Sequence, residues 1–216
     1  MRKVFLTLSF LGISIFSVAQ ERMQPGFDSK EYLKILGIFA YSENDTAFAK
    51  GIPKPVGVSK IYESPIVGLQ NKWYLWVDEA KKIGYINIRG TVPNPTSWLE
   101  NFYAAMIPAT GQMKIRSDYT FHYVFAKDPK AAVHVGWTLA TGTLAETIIP
   151  KVDSLVLAGY QDFVITGHSQ GGAITYLMNA HLQNLKQSSR WNSDVRFKTY
   201  SSAAPKTRQP VFCLSL

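Results

Sequence analysis

The chain has 216 residues, 46% of them hydrophobic and 18% charged, an ordinary balance for one folded domain with a sizeable core. Its formal net charge is +8, yet no dense Lys/Arg run or basic helix concentrates it, which argues against nucleic acid as a partner. Cys213 is the only cysteine and sits in the last few residues, so an internal disulfide, a cysteine metal site and a thiol nucleophile are excluded.

Residues 1–19 read as a secretory signal peptide. Arg2 and Lys3 give a basic start, Val4 to Phe16 an apolar run, and Ser17-Val18-Ala19 a small-residue cleavage site before Gln20. The run is short for a membrane span, and no cysteine follows it for lipid attachment. Cleavage would remove Arg2 and Lys3 and no acids, so +8 − 2 leaves +6 on the mature chain. The expected location is secreted or periplasmic, and residues 20–216 are expected to form one domain. The mild positive charge leaves attraction to an anionic lipid surface open.

From Gln20 to Gly51 the chain reads as a lead-in. Tyr32, Ile35, Leu36 and Phe39 recur at helical spacing and predict an amphipathic helix over Ser29 to Phe39, with Gly37 as the residue that argues against it. Pro53 to Pro65 carries three prolines and reads as an irregular connection. Lys72 to Val77 and Ile83 to Ile88 predict two strands joined by a polar turn, Asp78 to Lys82. In the second strand Ile83, Tyr85 and Asn87 point one way and Gly84, Ile86 and Ile88 the other. It runs directly into Arg89-Gly90-Thr91.

Thr91 to Pro108 holds Pro93 and Pro95, then Trp98, Leu99, Phe102, Tyr103, Met106 and Ile107. A surface helix so apolar is costly in water and useful against lipid. Trp98, Leu99 and Phe102 are therefore candidate lid residues, and a helix packed on the sheet edge is the competing reading. Phe125 to Lys130 reads as a solvated loop.

Asp162 to Ala173 carries the strongest signal. Asp162-Phe163-Val164-Ile165-Thr166 is a short β-branched run that reads as a buried parallel strand. Gly167-His168-Ser169-Gln170-Gly171-Gly172 follows. Ile174, Leu177, Met178, Leu182 and Leu185 then share one helical face. Strand, glycine-flanked serine and helix make the context of a nucleophile elbow. On so tight a turn Ser169 sits at strained backbone angles, and a Cβ at Gly167 or Gly171 would clash with the adjoining turn. The helix start faces any negative charge developing at the serine, and the backbone N–H of Gln170 is a natural oxyanion donor.

These stretches together resemble the class 3 lipases. Ile86-Asn87-Ile88-Arg89-Gly90-Thr91 with Ser97-Trp98-Leu99-Glu100-Asn101-Phe102 looks like that family's strand, loop and tryptophan-bearing helix. Val133-His134-Val135-Gly136-Trp137 resembles its His-x-Gly-aromatic segment. Glu146 to Tyr160 is similar to the helix before the nucleophile strand, and Val195 to Thr207, with Ser201 to Lys206, to its next strand. The likeness spans roughly residues 70 to 207, and it implies a secreted member of bacterial type.

The resemblance implies an α/β-hydrolase fold, with a mostly parallel central sheet and helices on both faces. It implies ester hydrolysis through an acyl-enzyme on Ser169, with Thr91 and Gln170 as the oxyanion pair. His168, within the elbow, takes a packing role in the family, and His134 supports the strand near the elbow. No cofactor or metal is implied. The expected partner is a lipid or small ester substrate, with lipid-interface contact; oligomeric state is not legible.

The family's triad aspartate and histidine lie beyond the strand that ends at Ala204-Pro205. Lys206 to Leu216 contains neither, and Asp194 precedes that strand, so the sequence reads as incomplete at its C-terminal end. Two functional classes follow. One is a secreted lipase-type serine ester hydrolase; the other is a non-catalytic or fragmentary homologue that keeps the pocket and lacks the triad Asp and His.

Overall fold

The computed structural model describes residues 22–206 apart from Asn44; the expected signal peptide and the tail from 207 onward lie outside the described residues. In chain order the elements are α1 (Ser29–Ser42), α2 (Thr46–Ala49), β1 (Ser59–Glu63), β2 (Trp73–Asp78), β3 (Ile83–Ile88), α3 (Pro95–Phe102), β4 (Met106–Pro108), β5 (Thr110–Arg116), β6 (Tyr119–Val124), β7 (Ala132–His134), α4 (Val135–Leu157), β8 (Asp162–His168), α5 (Gln170–Gln187) and β9 (Arg196–Ser202).

Five strands make one sheet in the order β1-β2-β3-β8-β9. Among the described residues it is mixed: β1, β2 and β3 pair antiparallel, and β3, β8 and β9 pair parallel. A short turn suffices for the antiparallel β2–β3 step, whereas parallel neighbours require crossovers, which α4 and α5 supply. β8 lies inside the parallel half, and its first six residues are all buried. That is why Phe163-Val164-Ile165 shows no polar alternation.

The strand alternation read from Ile83 to Ile88 divides two cores. Ile86 and Ile88 join Trp73, Leu75, Phe163 and Ile165 beneath Leu144, Ile148, Ile174 and Leu177 of α4 and α5. Ile83 and Tyr85 join Tyr74, Trp76 and Val164 beneath Ile35 and Ile38 of α1. Burying each such side chain stabilises by roughly 1.5–3 kcal/mol, so helices are held on both faces. α1 is capped by the Asp28 carboxylate, which accepts from the N–H groups of Lys30 and Glu31. It runs on to Ser42, whose hydroxyl accepts from Trp76 Nε1 and Asn87 Nδ2. Gly37 does not end it; a Cβ there would come within 3.1 Å of the Pro53 carbonyl, so the glycine serves a close pass of the chain.

Three readings are corrected. The helix before β8 begins at Val135 rather than near Glu146 and ends at Leu157. Its first half is buried on most sides, including Gly136, Ala140 and Gly142, so it carries no amphipathic stripe. The stretch Pro53 to Pro65 contains β1, an edge strand with an irregularity between Lys60 and Tyr62; its prolines flank the strand rather than interrupt it. The loop after β6 is solvated except at Phe125, which is buried in the α4–α5 core.

The hairpin β5–β6 and the short pair β4–β7 go beyond the sequence reading. β5 is mostly exposed, and the hairpin is fixed from outside. Phe121 packs edge-on to His181 of α5 at 4.8 Å between ring centroids, and the Tyr119 hydroxyl donates to the Gly142 carbonyl.

Candidate active site

At the end of β8 the chain turns so sharply that Ser169 takes φ 56° and ψ −123°. A non-glycine residue at such angles costs on the order of 1–3 kcal/mol and persists only where its surroundings hold it. Here the Ser169 N–H donates to the Ser202 carbonyl at 3.0 Å, and the Ser169 carbonyl accepts from Ala173 N–H at 3.0 Å. The glycines remove the obstacles. A Cβ on Gly167 would lie 2.5 Å from the Gly171 carbonyl, and one on Gly171 would lie 2.4 Å from the Ile88 carbonyl. A Cβ on Gly172 would lie 2.8 Å from the Ser202 carbonyl. The first helical bond of α5 closes at Ala173, so the N–H groups of Gln170, Gly171 and Gly172 have no intrahelical acceptor. The positive end of the helix dipole lies beside a half-buried Ser169.

The loop after β3 lies against this turn. A Cβ on Gly90 would sit 2.8 Å from the His168 carbonyl and 3.9 Å from Ser169 Cβ. The next residue, Thr91, donates its hydroxyl to Gln170 Oε1 at 3.1 Å and accepts from Asn101 Nδ2 at 3.0 Å. The two residues read as an oxyanion pair are therefore linked through their side chains. Asn101 Oδ1 accepts from Trp137 Nε1 at 3.3 Å, and the Asn101 carbonyl meets His134 Nε2 at 3.2 Å. His134 caps α4 and stacks on Trp137 at 3.8 Å. It braces the end of α3 rather than the strand near the elbow. Burial lowers its pKa, with the Asn101 contact opposing.

α3 has its faces reversed relative to an ordinary surface helix. Ser97 and Glu100 are buried, while Trp98, Leu99 and Phe102 are 51%, 57% and 75% exposed. Asn94 caps it through Thr96 N–H, and Pro95 starts it. α3 thus packs inward through Ser97 and Glu100 and leaves its apolar side chains exposed.

Gly90, Thr91, Val92, His168 and Ser169 form one side of a cleft of about 1170 Å³. Leu36, Phe39 and Phe48 from α1 and α2 line the other side, and Phe39 packs edge-on to His168 at 5.7 Å. The sequence reading had α1 only as a helix on the sheet and missed α2 as well as this wall; the spacing of Leu36 and Phe39 was the available signal. Glu43 also lines the cleft, accepting from Arg89 and from the Tyr74 hydroxyl. Burial, then the Glu43 contact, push the Tyr74 phenol far above its ordinary value. Asn101, Ser97 and Glu100 were likewise missed as site residues, although all lie in the quoted tryptophan-bearing segment.

The histidines are engaged elsewhere. His168 Nδ1 meets Ser202 Oγ at 2.9 Å. His181 is buried against Phe121, and burial pushes it down to about 4. His122 lies on β6, in the hairpin. Asp194 lies before β9, whose first residue pairs with Asp162, so it is at the opposite end of the sheet from Ser169. Among the described residues no group of three or more His, Cys, Asp or Glu could hold a metal ion. None of their helices is long and apolar enough to cross a membrane.

Residues 85–212, more than half of the chain, match the family model of the class 3 lipases. The chain belongs to the class 3 lipase family. This class 3 lipase chain has the α/β-hydrolase fold and is similar to solved fungal enzymes. Against a fungal lipase in complex with an inhibitor it shows 17% identity and a TM-score of 0.58, over 84% of this chain and 63% of that one. The lipase from Rhizopus microsporus var. chinensis gives 18% and 0.54, over 85% and 60%. Lipase II from Rhizopus niveus gives 19% and 0.55, over 85% and 64%. The chain thus spans about three fifths of the length of these structures. No curated protein matches it by sequence.

Proposed function

We propose that this chain carries the nucleophile and oxyanion part of a lipase-type carboxylic-ester hydrolase acting on acylglycerols or related lipid esters. The observation that carries the reading is the strained Ser169, set on an unsaturated helix start and against the Gly90-Thr91 loop. In this reading Ser169 Oγ adds to the ester carbonyl, the tetrahedral adduct breaks its bond to the alcohol, which leaves with the proton given up by the serine, and an acyl-enzyme remains on Ser169. The oxyanion is held by the N–H groups of Gln170 and Thr91; one such donor typically contributes about a hundredfold to a thousandfold in rate. The apolar face of α3 supports a role as a lid that meets a lipid interface, and residues 1–19 support a secreted or periplasmic location.

A serine hydroxyl is weak until a base takes its proton. His134, His168 and His181 are all placed to do other work, which favours a second reading in which these residues keep the pocket without efficient turnover. Loss of a triad member leaves roughly a thousandfold to ten-thousandfold acceleration over water. The test measures hydrolysis of short and long acyl esters by residues 20–216, with Ser169→Ala beside it, and mass-spectrometric labelling of Ser169 by a phosphonate. Expected is slow, Ser169-dependent turnover and labelling confined to Ser169. Turnover that survives Ser169→Ala would refute the nucleophile, and fast turnover would show that a base lies within these residues.

A further inference from the structure

Glu100 is a carboxylic acid with no exposed surface, carried on a helix whose outward face is apolar. Its Oε2 accepts from Asn71 Nδ2 at 2.8 Å, and its Oε1 has no hydrogen-bond partner among the described residues. A leucine would fill this space without the cost of burying a polar group. The acid therefore calls for an explanation, and its neighbour Gln170 supplies one.

The Gln170 side chain is buried between two kinds of group. On one side the hydroxyls of Thr91 and Ser97 lie 3.1 and 3.5 Å from its Oε1. On the other, its Nε2 reaches the Ser97 carbonyl at 3.4 Å and lies close enough to Glu100 to favour that group's charged form. An amide has one acceptor end and one donor end. Acceptors on one side and hydroxyls on the other set which way it points.

We propose that Glu100 is a positioning residue of the oxyanion site, orienting the Gln170 amide and through it seating the Thr91 loop and α3 on the nucleophile's helix. This rests on the reading of Thr91 and Gln170 as oxyanion donors. Burial pushes Glu100 up to about 8, with the bond from Asn71 and the nearby Gln170 amide opposing. The groups facing its carboxyl are Asn71 before β2 and Gln170 of α5, while Gly136 of α4 packs on its backbone carbonyl, where a Cβ would come within 2.3 Å. His134 at the start of α4 is turned to the Asn101 carbonyl, and no charged side chain contributes to the shift. Glu100 is neutral when seated below about pH 8, whereas an exposed glutamate ionises near 4.5. Between these values each unit of pH favours unseating of α3 by about tenfold, and the effect levels off above 8.

The test is hydrogen exchange of the α3 amides from pH 5.5 to 9, corrected for intrinsic exchange, in the full chain carrying Ser169→Ala, with and without Glu100→Gln. The expected result is opening that rises toward tenfold per pH unit up to about pH 8 and then levels, and no such rise with Glu100→Gln. A flat profile with Glu100 present, or the same rise in both, overturns the proposal. In the Ser169 chain, phosphonate labelling should slow about tenfold to hundredfold with Glu100→Ala and recover with Glu100→Gln, less than the loss of a whole donor at the upper end; equal slowing by both would overturn it. If the exchange pattern holds while no Ser169 labelling occurs at all, the hydrolase reading falls and the seating role of Glu100 stands.

Discussion

At its Asp162 end β8 is closed by partners, and at its Ser169 end it is left strained and open. Asp162 is wholly buried, yet it accepts from Arg22 and Arg196 side chains and from the Met23 N–H. Burial by itself would raise its pKa; the bonds from Arg196, Arg22 and Met23 outweigh that and hold it below the ordinary carboxylate range. Seven residues on, Ser169 sits at positive φ and its side chain makes no capping bond to α5. The N-terminal segment and β9 are tied together at the far end, so the site end can carry strain without the strand coming loose. Pairing and strain are separated along one strand.

The largest effect comes from releasing the strained end. Ser169→Gly should abolish phosphonate labelling and ester turnover, yet raise the melting temperature. Relief of φ strain, less the entropy cost of glycine, leaves about 1 kcal/mol in favour of the fold, or roughly 2–4 °C for a domain of this size. Thermal unfolding beside the labelling assay checks it; a lower melting temperature would show that Ser169 is not strained.

Next is the packing that permits the turn. Gly171→Ala puts a methyl 2.4 Å from the Ile88 carbonyl and 2.8 Å from the Arg89 carbonyl. Neither backbone can yield cheaply, so a loss of about 3 kcal/mol is expected. Gly159→Ala meets nothing within 4 Å but sits at φ 86°, and should cost only about 1 kcal/mol. Denaturant midpoints of the two variants separate these cases, and equal losses would remove the elbow clash as the cause.

Asp162→Asn attacks the paired end. The arginines can partly reach water, so a loss of about 2 kcal/mol at pH 7 is expected, below that of a fully buried pair. Because the folded pKa is lowered from 3.8, the stabilisation is present above about pH 4 and fades as pH falls through the folded value. The gap in stability between the two proteins should therefore narrow as pH falls below about 4. A gap that stays constant would assign the loss to packing. Phosphonate labelling of Ser169 at the far end should respond only through stability.

The smallest effect on folding belongs to the exposed face of α3. Trp98→Ser with Phe102→Ser should change stability by no more than about 0.5 kcal/mol and weaken binding to neutral phospholipid vesicles several-fold. Unchanged vesicle binding would leave α3 without an interfacial role.

Within the chain, what could be read early was local. Ile83 to Ile88 and Asp162 to Gln187 were placed closely because steric demand and burial are written into adjacent residues. A serine between glycines after a β-branched run admits few backbone paths. α4 was misplaced at its start because a helix buried on most sides has no polar face to mark it. β1 and the β5–β6 hairpin owe their pairing to partners outside each segment's own pattern.

By itself the sequence determined the elbow, its strand and helix, and the family to which the chain belongs. Only the tertiary structure decided which way α3 turns its apolar face, that α1 and α2 wall the cleft, and that Glu100 lies against Gln170. Thr91 and Gln170 are 79 positions apart, and Arg22 and Asp162 are 140 apart. Residues so distant leave no periodic trace in either segment; packing of separate elements brings them together, and that packing is a property of the whole fold.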